Sequence, residues 1–229
     1  MENHVFFDLD RTLWDFDRNS VLVLREMYHD HLAQLQQFTE DEFVASYIEI
    51  NEVAWEQYRS GQIPKDELRW VRFYRTLDRF DIQDRAMADR LGHQYVERSP
   101  YQRGLVPGSL EILEYLSNKG YVLHILTNGF EEIQHIKVRE TGIGKYIREL
   151  ITSESVGFQK PHPNLFAAAK LRAGIPEHHA FMVGDDLEVD IEGAQAAGMT
   201  GIYFNPSGKE HAGTPHHEVK ELIEIQNIL

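Results

Sequence analysis

The 229-residue chain contains no cysteine. That excludes disulfides, thiolate nucleophiles and zinc sites built on sulfur, and it fits a reducing compartment. No apolar run approaches the roughly 20 residues that a membrane-spanning helix needs. The first residues, Met1-Glu2-Asn3-His4, lack the cationic-then-apolar order of a secretory leader, so no cleaved signal peptide is expected. Positive charge is also scarce. Lys and Arg number 23 against 37 Asp and Glu, for a formal net charge of −14. So acidic a surface repels nucleic acid and anionic membrane, and neither partner is expected. An anionic small ligand is not excluded, because the local field outweighs the total. Internal repeats and low-complexity segments are absent too. Hydrophobic residues make up 42% of the chain, which is enough for a globular core, and a soluble cytoplasmic protein is expected.

Two kinds of pattern divide the chain. After about residue 100, short apolar runs alternate with helix-like segments. The runs lie at 121–126, 150–152, 180–183 and 200–204, and the helical segments at 109–119, 131–141, 163–173 and 189–197. Gly120, Gly142, Gly174 and Gly198 stand just past the helical segments, where C-terminal caps belong. Such alternation implies βαβ units and a parallel sheet. Residues 17–99 differ: apolar residues such as Phe43, Tyr47, Ile50 and Ala54 recur at helical spacing, and no strand pattern is found. The expected architecture is therefore an α/β, Rossmann-like core formed by 1–16 and 100–229, with an all-helical insert of about four helices at 17–99. The first strand is expected at 5–10, and 219–229 reads as a terminal helix.

Ligands of parallel sheets sit at the carboxyl ends of the strands. There the sequence places Asp8 and Asp10, then Thr127 and Asn128, then Lys160 in Gly157-Phe158-Gln159-Lys160-Pro161, then Asp185 and Asp186 with Asp190 a turn later. Acids gathered at one sheet edge need a cation, and ligands that are all oxygen favour Mg²⁺. In a strand, residues two apart share a face, so Asp8 and Asp10 are expected to look into one cleft. A lysine and a hydroxyl beside that cation suit the oxygens of a phosphoryl group.

These four stretches, Asp8-Leu9-Asp10-Arg11-Thr12, Thr127, Lys160-Pro161 and Gly184-Asp185-Asp186 with Asp190, resemble in order and spacing the four motifs of the haloacid dehalogenase superfamily. The helical block lies where that superfamily inserts its first type of cap domain. The resemblance implies Mg²⁺-dependent phosphoryl transfer. It implies Asp8 as nucleophile, giving an aspartyl-phosphate, and Asp10 as general acid and then base. The metal is expected between Asp8, the backbone carbonyl of Asp10, and Asp185. Thr127 and Lys160 are expected to hold phosphoryl oxygens, with Asp190 in support and Asp186 either in support or as a helix N-cap. The dehalogenases lack the second acid, so Asp10 points to phosphate chemistry. Arg11 stands where the family usually has Gly.

Within the superfamily the chain looks like a subgroup of bacterial pyrimidine-nucleotide 5′-nucleotidases. The likeness is carried by Phe6 to Asp10 running into Leu13-Trp14-Asp15-Phe16-Asp17, by Thr127-Asn128-Gly129-Phe130, by Glu154-Ser155-Val156-Gly157, and by Gly61-Gln62-Ile63 with Arg72-Phe73. The implied substrate is a small phosphate ester, a nucleoside monophosphate. Sugar-phosphate or phosphoglycolate phosphatase, phosphomutase, and a non-catalytic binding protein remain as alternatives. Arg72 reads as a substrate grip or as a solvated helix residue. Asn128 reads as a phosphate donor or as a turn former. Trp14 and Phe16 read as packing or as a stack for a base, and Asp15 and Asp17 as catalytic extras or as the start and cap of the first insert helix. Two of His162, His211, His216 and His217 could pair on a metal, but no third ligand stands at a sensible spacing, and they read as loop residues. The junctions at 15–20 and 99–107 are expected to act as hinges.

Overall fold

The computed structural model describes residues 3–175 and 179–229. Met1 and Glu2, on which the expectation of no cleaved signal peptide rests in part, lie outside them. The chain divides into two compact units, one made of Met1–Phe16 with Arg103–Leu229 and the other of Asp17–Gln102. Among the described residues, no helix is long and apolar enough to cross a membrane.

The first unit is built on a six-stranded sheet. Its strands are β1 (His4–Phe7), β2 (Val122–Thr127), β3 (Ile147–Thr152), β4 (Ala180–Gly184), β5 (Thr200–Phe204) and β6 (His217–Val219). They run in the order β3-β2-β1-β4-β5-β6, and every neighbouring pair is parallel. β1 lies at the centre, where Phe7 is level with Ile125 on one side and Val183 on the other. Both faces of the sheet are covered. Val5 and Phe7 join Ile125, Val183 and Ile202 on one face, while Phe6 joins Leu126, Ile151, Phe166 and Met182 on the other. That is why these strands read as unbroken apolar runs. β1 is shorter than the 5–10 expected, because the chain turns at once: the Leu13 and Trp14 N–H groups both donate to the Leu9 carbonyl, at 3.0 and 2.8 Å.

The second unit is helical: α1 (Phe16–His31), α2 (Glu40–Arg59), α3 (Lys65–Asp78) and α4 (Arg85–Arg98), with a short 3₁₀ turn at Ala33–Leu35. Thr39 opens α2 with a reciprocal capping box to Glu42. Phe43 and Tyr47 of α2 are buried with Val23, Met27, Phe73 and Leu91 of the other three helices. Asp17 stands in the first turn of α1.

The sheet is flanked by α5 (Ser109–Asn118), α6 (Glu131–Thr141), α7 (Ser153–Val156) and α8 (Pro163–Arg172). A π-helical turn at Leu187–Glu192 runs into α9 (Gly193–Ala196). Gly142 ends α6 at φ 74°, the left-handed conformation that glycine adopts without steric penalty. The C-terminus differs from the single helix expected. His217–Val219 adds β6 to the sheet edge, and Leu222–Asn227 forms a 3₁₀ helix that buries Leu222 and Ile225. The chain passes between the units along two segments that pair with each other. Asp15 N–H donates to the Gly104 carbonyl at 3.0 Å, and Val106 N–H to the Leu13 carbonyl at 2.9 Å.

Candidate active site

Strand order reverses around β1, so a crevice forms at the carboxyl ends of β1, β2 and β4. Asp8 is the first residue past β1, and its N–H donates to the Val183 carbonyl at 2.8 Å. Asp185 is the first residue past β4, and Thr127 is the last residue of β2. Asp190 follows on the π-helical turn, with its N–H bonded to the Asp186 carbonyl at 2.9 Å. Gly184 makes room for it: a Cβ there would lie 2.2 Å from the Asp190 Oδ2 atom.

Asp8, Asp185 and Asp190 each bring a carboxylate oxygen within 4.8 Å of the other two. Lys160 reaches them from the loop before α8. Its Nζ donates to Asp8 Oδ1 at 2.5 Å, to Asp190 Oδ1 at 2.7 Å and to the Leu126 carbonyl at 2.9 Å. All three ammonium protons are thereby used on the protein itself. Lys160 was expected to hold phosphoryl oxygens; its direct partners here are the acids. Thr12 donates to Asp185 Oδ1 at 3.0 Å.

The electrostatics follow from burial. Asp8 is 7% exposed, and Lys160 and Asp190 are each 2% exposed. Burial pushes the Asp8 carboxyl up to about 7; Lys160 pulls it down, while the Asp190 and Asp10 charges push it up again. Asp185 is raised by burial and then by Asp8 and Asp190, with Thr12 and Arg11 pulling the other way. Asp190 is raised by burial against the pull of Lys160. Burial disfavours the Lys160 ammonium, but Asp190 and Asp8 outweigh it and hold that group above its ordinary value. Three acids thus share one ammonium, and each holds its proton more tightly than a free carboxylate. An oxygen-only donor set with surplus negative charge fits a hard divalent cation.

Asp10 lies outside this group. It sits in the turn after β1 rather than in the strand, and its carboxylate has its own partners. Lys137 Nζ donates to Oδ1 at 2.5 Å, and Gln134 Nε2 donates to Oδ2 at 2.7 Å. Gln134 also donates to Thr127 Oγ1 at 3.0 Å, which accepts from Gly129 N–H at 3.0 Å as well. Gly129 leaves room for that amide, since a Cβ would fall 1.6 Å from Gln134 Nε2. Asp8 and Asp10 are therefore not same-face residues of one strand, since β1 ends at Phe7. The two acids belong to one strand end, but separate cations hold them.

The remaining candidates fall in different places. Asn128 clamps the backbone of Lys160, accepting from its N–H at 2.8 Å and donating to its carbonyl at 3.0 Å. Asp186 caps the π-helical turn, accepting from Val189 N–H at 3.0 Å. Arg72 is not a solvated residue but is 3% exposed within the helical unit. Its guanidinium donates to Asn51 Oδ1 at 2.9 Å and to the Leu68 carbonyl at 2.8 Å, and lies over the rings of Tyr47 and Tyr95. Those contacts make it part of that unit's interior. Arg11 adopts φ 68°, which explains why Gly is usual there, and its guanidinium lies over Phe16 at 4.7 Å. Gln134 and Lys137 escaped the sequence reading. The available signal was two polar residues three apart on one helix face.

Comparison with known proteins gives the family. The family described as haloacid dehalogenase-like hydrolase matches residues 2–198. The HAD-hydrolase YfnB of Bacillus subtilis is 29% identical, over 98% of this chain and 94% of its own. Its magnesium-bound crystal structure, described as revealing interdomain movement, superposes with a TM-score of 0.86 over 99% of this chain and 98% of that one, at 29% identity. Pyrimidine 5′-nucleotidase YjjG of Escherichia coli is 29% identical over 98% of this chain and 96% of its own. Ribulose-1,5-bisphosphate 5-phosphatase of Halopiger xanaduensis is 30% identical over 93% of this chain and 88% of its own.

Proposed function

The chain belongs to the haloacid dehalogenase-like hydrolases, and within that family we propose that it is a Mg²⁺-dependent phosphomonoester hydrolase acting on nucleoside 5′-monophosphates, with pyrimidines preferred. The observation that carries the reading is the separate housing of two aspartates. Asp8 is held among acids and Lys160, and Asp10 is held apart by Lys137 and Gln134. A carboxylate that attacks and a carboxylate that moves protons need different surroundings. Dehalogenation expels a halide, which takes no proton, so a dedicated second acid favours an alkoxide leaving group.

In this reading an Asp8 oxygen attacks phosphorus and the bond from phosphorus to the ester oxygen breaks. Asp10 gives its proton to that oxygen, and the alcohol leaves. Asp10, now a carboxylate, takes a proton from water as the water oxygen attacks the aspartyl-phosphate. The Asp8–phosphorus bond breaks, releasing inorganic phosphate and restoring both residues. Lys160 keeps the Asp8 carboxylate in one orientation, and Asn128 fixes the Lys160 backbone. The Thr127 hydroxyl, at the end of β2, would donate to a phosphoryl oxygen. Asp8, Asp185 and the backbone carbonyl of Asp10, with Asp190 behind them, would hold Mg²⁺. When bound, that ion offsets the surplus negative charge and draws the phosphoryl oxygens toward Asp8.

The nucleotide preference is supported by the resemblance to the nucleotidase YjjG. A sugar phosphate is the second reading, supported by the similar ribulose bisphosphate phosphatase. The test is phosphate release from pyrimidine and purine monophosphates, sugar phosphates and phosphoglycolate, with Mg²⁺ or EDTA, and with a haloacid control. Mg²⁺-dependent release favouring pyrimidine monophosphates supports the reading. Preference for a sugar phosphate replaces the substrate and keeps the chemistry, and halide release alone overturns both.

A further inference from the structure

Helix α6 buries the wrong residues for a helix held in place by apolar contact. Its buried positions are Gln134 and Lys137, while Ile133, Ile136 and Val138 are only half-buried. An amphipathic helix ordinarily shows the reverse. The two polar residues are three apart and so share a face. That face meets the turn after β1, where both donate to the two oxygens of one carboxylate, Asp10. Lys137 is held from behind by Trp14, whose ring centroid lies 4.1 Å from its Nζ. Gln134 is fixed in turn: its Nε2 bridges Asp10 and Thr127. Its Oε1 is buried with no hydrogen-bond partner among the described residues. A flipped amide would set that oxygen against the Asp10 carboxylate, so Asp10 determines the orientation.

Stability alone does not account for this arrangement. Lys137 is buried and Asp10 half-buried, so desolvation offsets much of their attraction, and an unsatisfied amide oxygen is a loss. What the arrangement does provide is a single fixed position for both Asp10 oxygens. We propose that Lys137 and Gln134 are positioning residues that hold Asp10 in line with the leaving-group oxygen. The proposal rests on the phosphatase reading and adds to it the residues that aim its proton-transfer group.

The experiment compares leaving groups. An alkyl ester, the best nucleoside or sugar monophosphate of the panel, needs a proton on departure; p-nitrophenyl phosphate does not. With Lys137→Met, kcat for the alkyl ester should fall by about 10²-fold, the size expected from misplacing a reacting group by an ångström. KM should hardly change, and the aryl ester should be spared most of that loss. Lys137→Arg should recover part of the alkyl activity. Gln134→Met provides a second variant, with thermal melting to confirm folding. Asp10→Asn is the reference, and Lys137→Met added to it should lower alkyl turnover no further. If Asp10→Asn selectively impairs the alkyl ester but Lys137→Met and Gln134→Met impair both esters equally, or neither, the positioning role is wrong and the phosphatase reading stands. If Asp10→Asn shows no such selectivity, the assignment of Asp10 falls and the proposal falls with it.

Discussion

Arg72 in the helical unit and Lys160 in the core unit are both almost fully buried, at 3% and 2% exposure, yet their surroundings differ in kind. Arg72 is surrounded by neutral acceptors and aromatic faces: Asn51, the Leu68 carbonyl, Tyr47 and Tyr95. Two of its donors bond to those neutral oxygens. Lys160 is surrounded by Asp8 and Asp190, with Asp185 beside them, so the negative charge around it exceeds its own. A buried cation is therefore not by itself a sign of a site. The sign is a local charge balance that the fold leaves unequal, because such an imbalance lowers stability and persists where something binds to relieve it.

The largest effect should separate these two cations. Lys160→Met is expected to lower kcat by about 10²–10³-fold, the range found when one charge-stabilising donor is removed. Arg72→Met should leave turnover per folded molecule unchanged. It should instead lower stability by about 1–3 kcal/mol for a buried acceptor left unsatisfied, read from denaturant unfolding. Loss of turnover in folded Arg72→Met would erase the contrast.

The charge imbalance also predicts how stability varies with pH. Asp8 is raised from 3.8 to about 7 in the folded chain, so folding favours its protonated form. That contribution is fully present below the unfolded value and is lost as pH rises through about 7. In EDTA the Tm should fall between pH 5 and pH 8. Mg²⁺, which binds the ionised cluster, should raise Tm more at pH 8 than at pH 5. A Tm indifferent to Mg²⁺ at both pH values would contradict the cation site.

His124 sharpens the comparison as a buried base that stays neutral. It is 0% exposed and stacks on Phe6. Burial, then the charges of His4 and Arg148, push it down to about 3. An unfolded chain takes up that proton near 6.5, so stability should fall as pH drops from 6.5 toward 3, by up to roughly 1.4 kcal/mol per pH unit from this residue. His124→Gln should flatten that part of the stability profile. An unaltered profile would show that the residue is not responsible.

The smallest effect concerns Arg11. Its φ of 68° is strained for any side chain, so Arg11→Gly should gain a few tenths to about 1 kcal/mol. Arg11→Ala, which keeps the strain and removes the charge, should not. Equal gains from both would assign the effect to charge.

Much of this was legible in the sequence, for identifiable reasons. Buried strands and their carboxyl ends are marked by local chemistry: apolar runs ending at Asp8, Thr127 and Asp185. What depends on a partner distant in sequence was not legible. β6 at His217–Val219 is a strand only because β5 lies beside it. Lys137 looks like a solvated helix residue until Asp10, 127 positions away, is placed against it. Arg72 showed the same ambiguity: that it is buried against Asn51 and Leu68 rather than solvated appears only in the packed helical unit. The turn that takes Asp10 out of the strand depends on the Leu9 carbonyl, which no residue pattern marks.

The central claim is that Asp8 carries the phosphoryl group. Its most direct test is to quench a single turnover in acid and locate the adduct by peptide mass spectrometry. A phosphoryl group on Asp8, labile to hydroxylamine and absent from Asp8→Asn, is the result the account predicts. Phosphate released at full rate by Asp8→Asn, or an adduct on another residue, would contradict it.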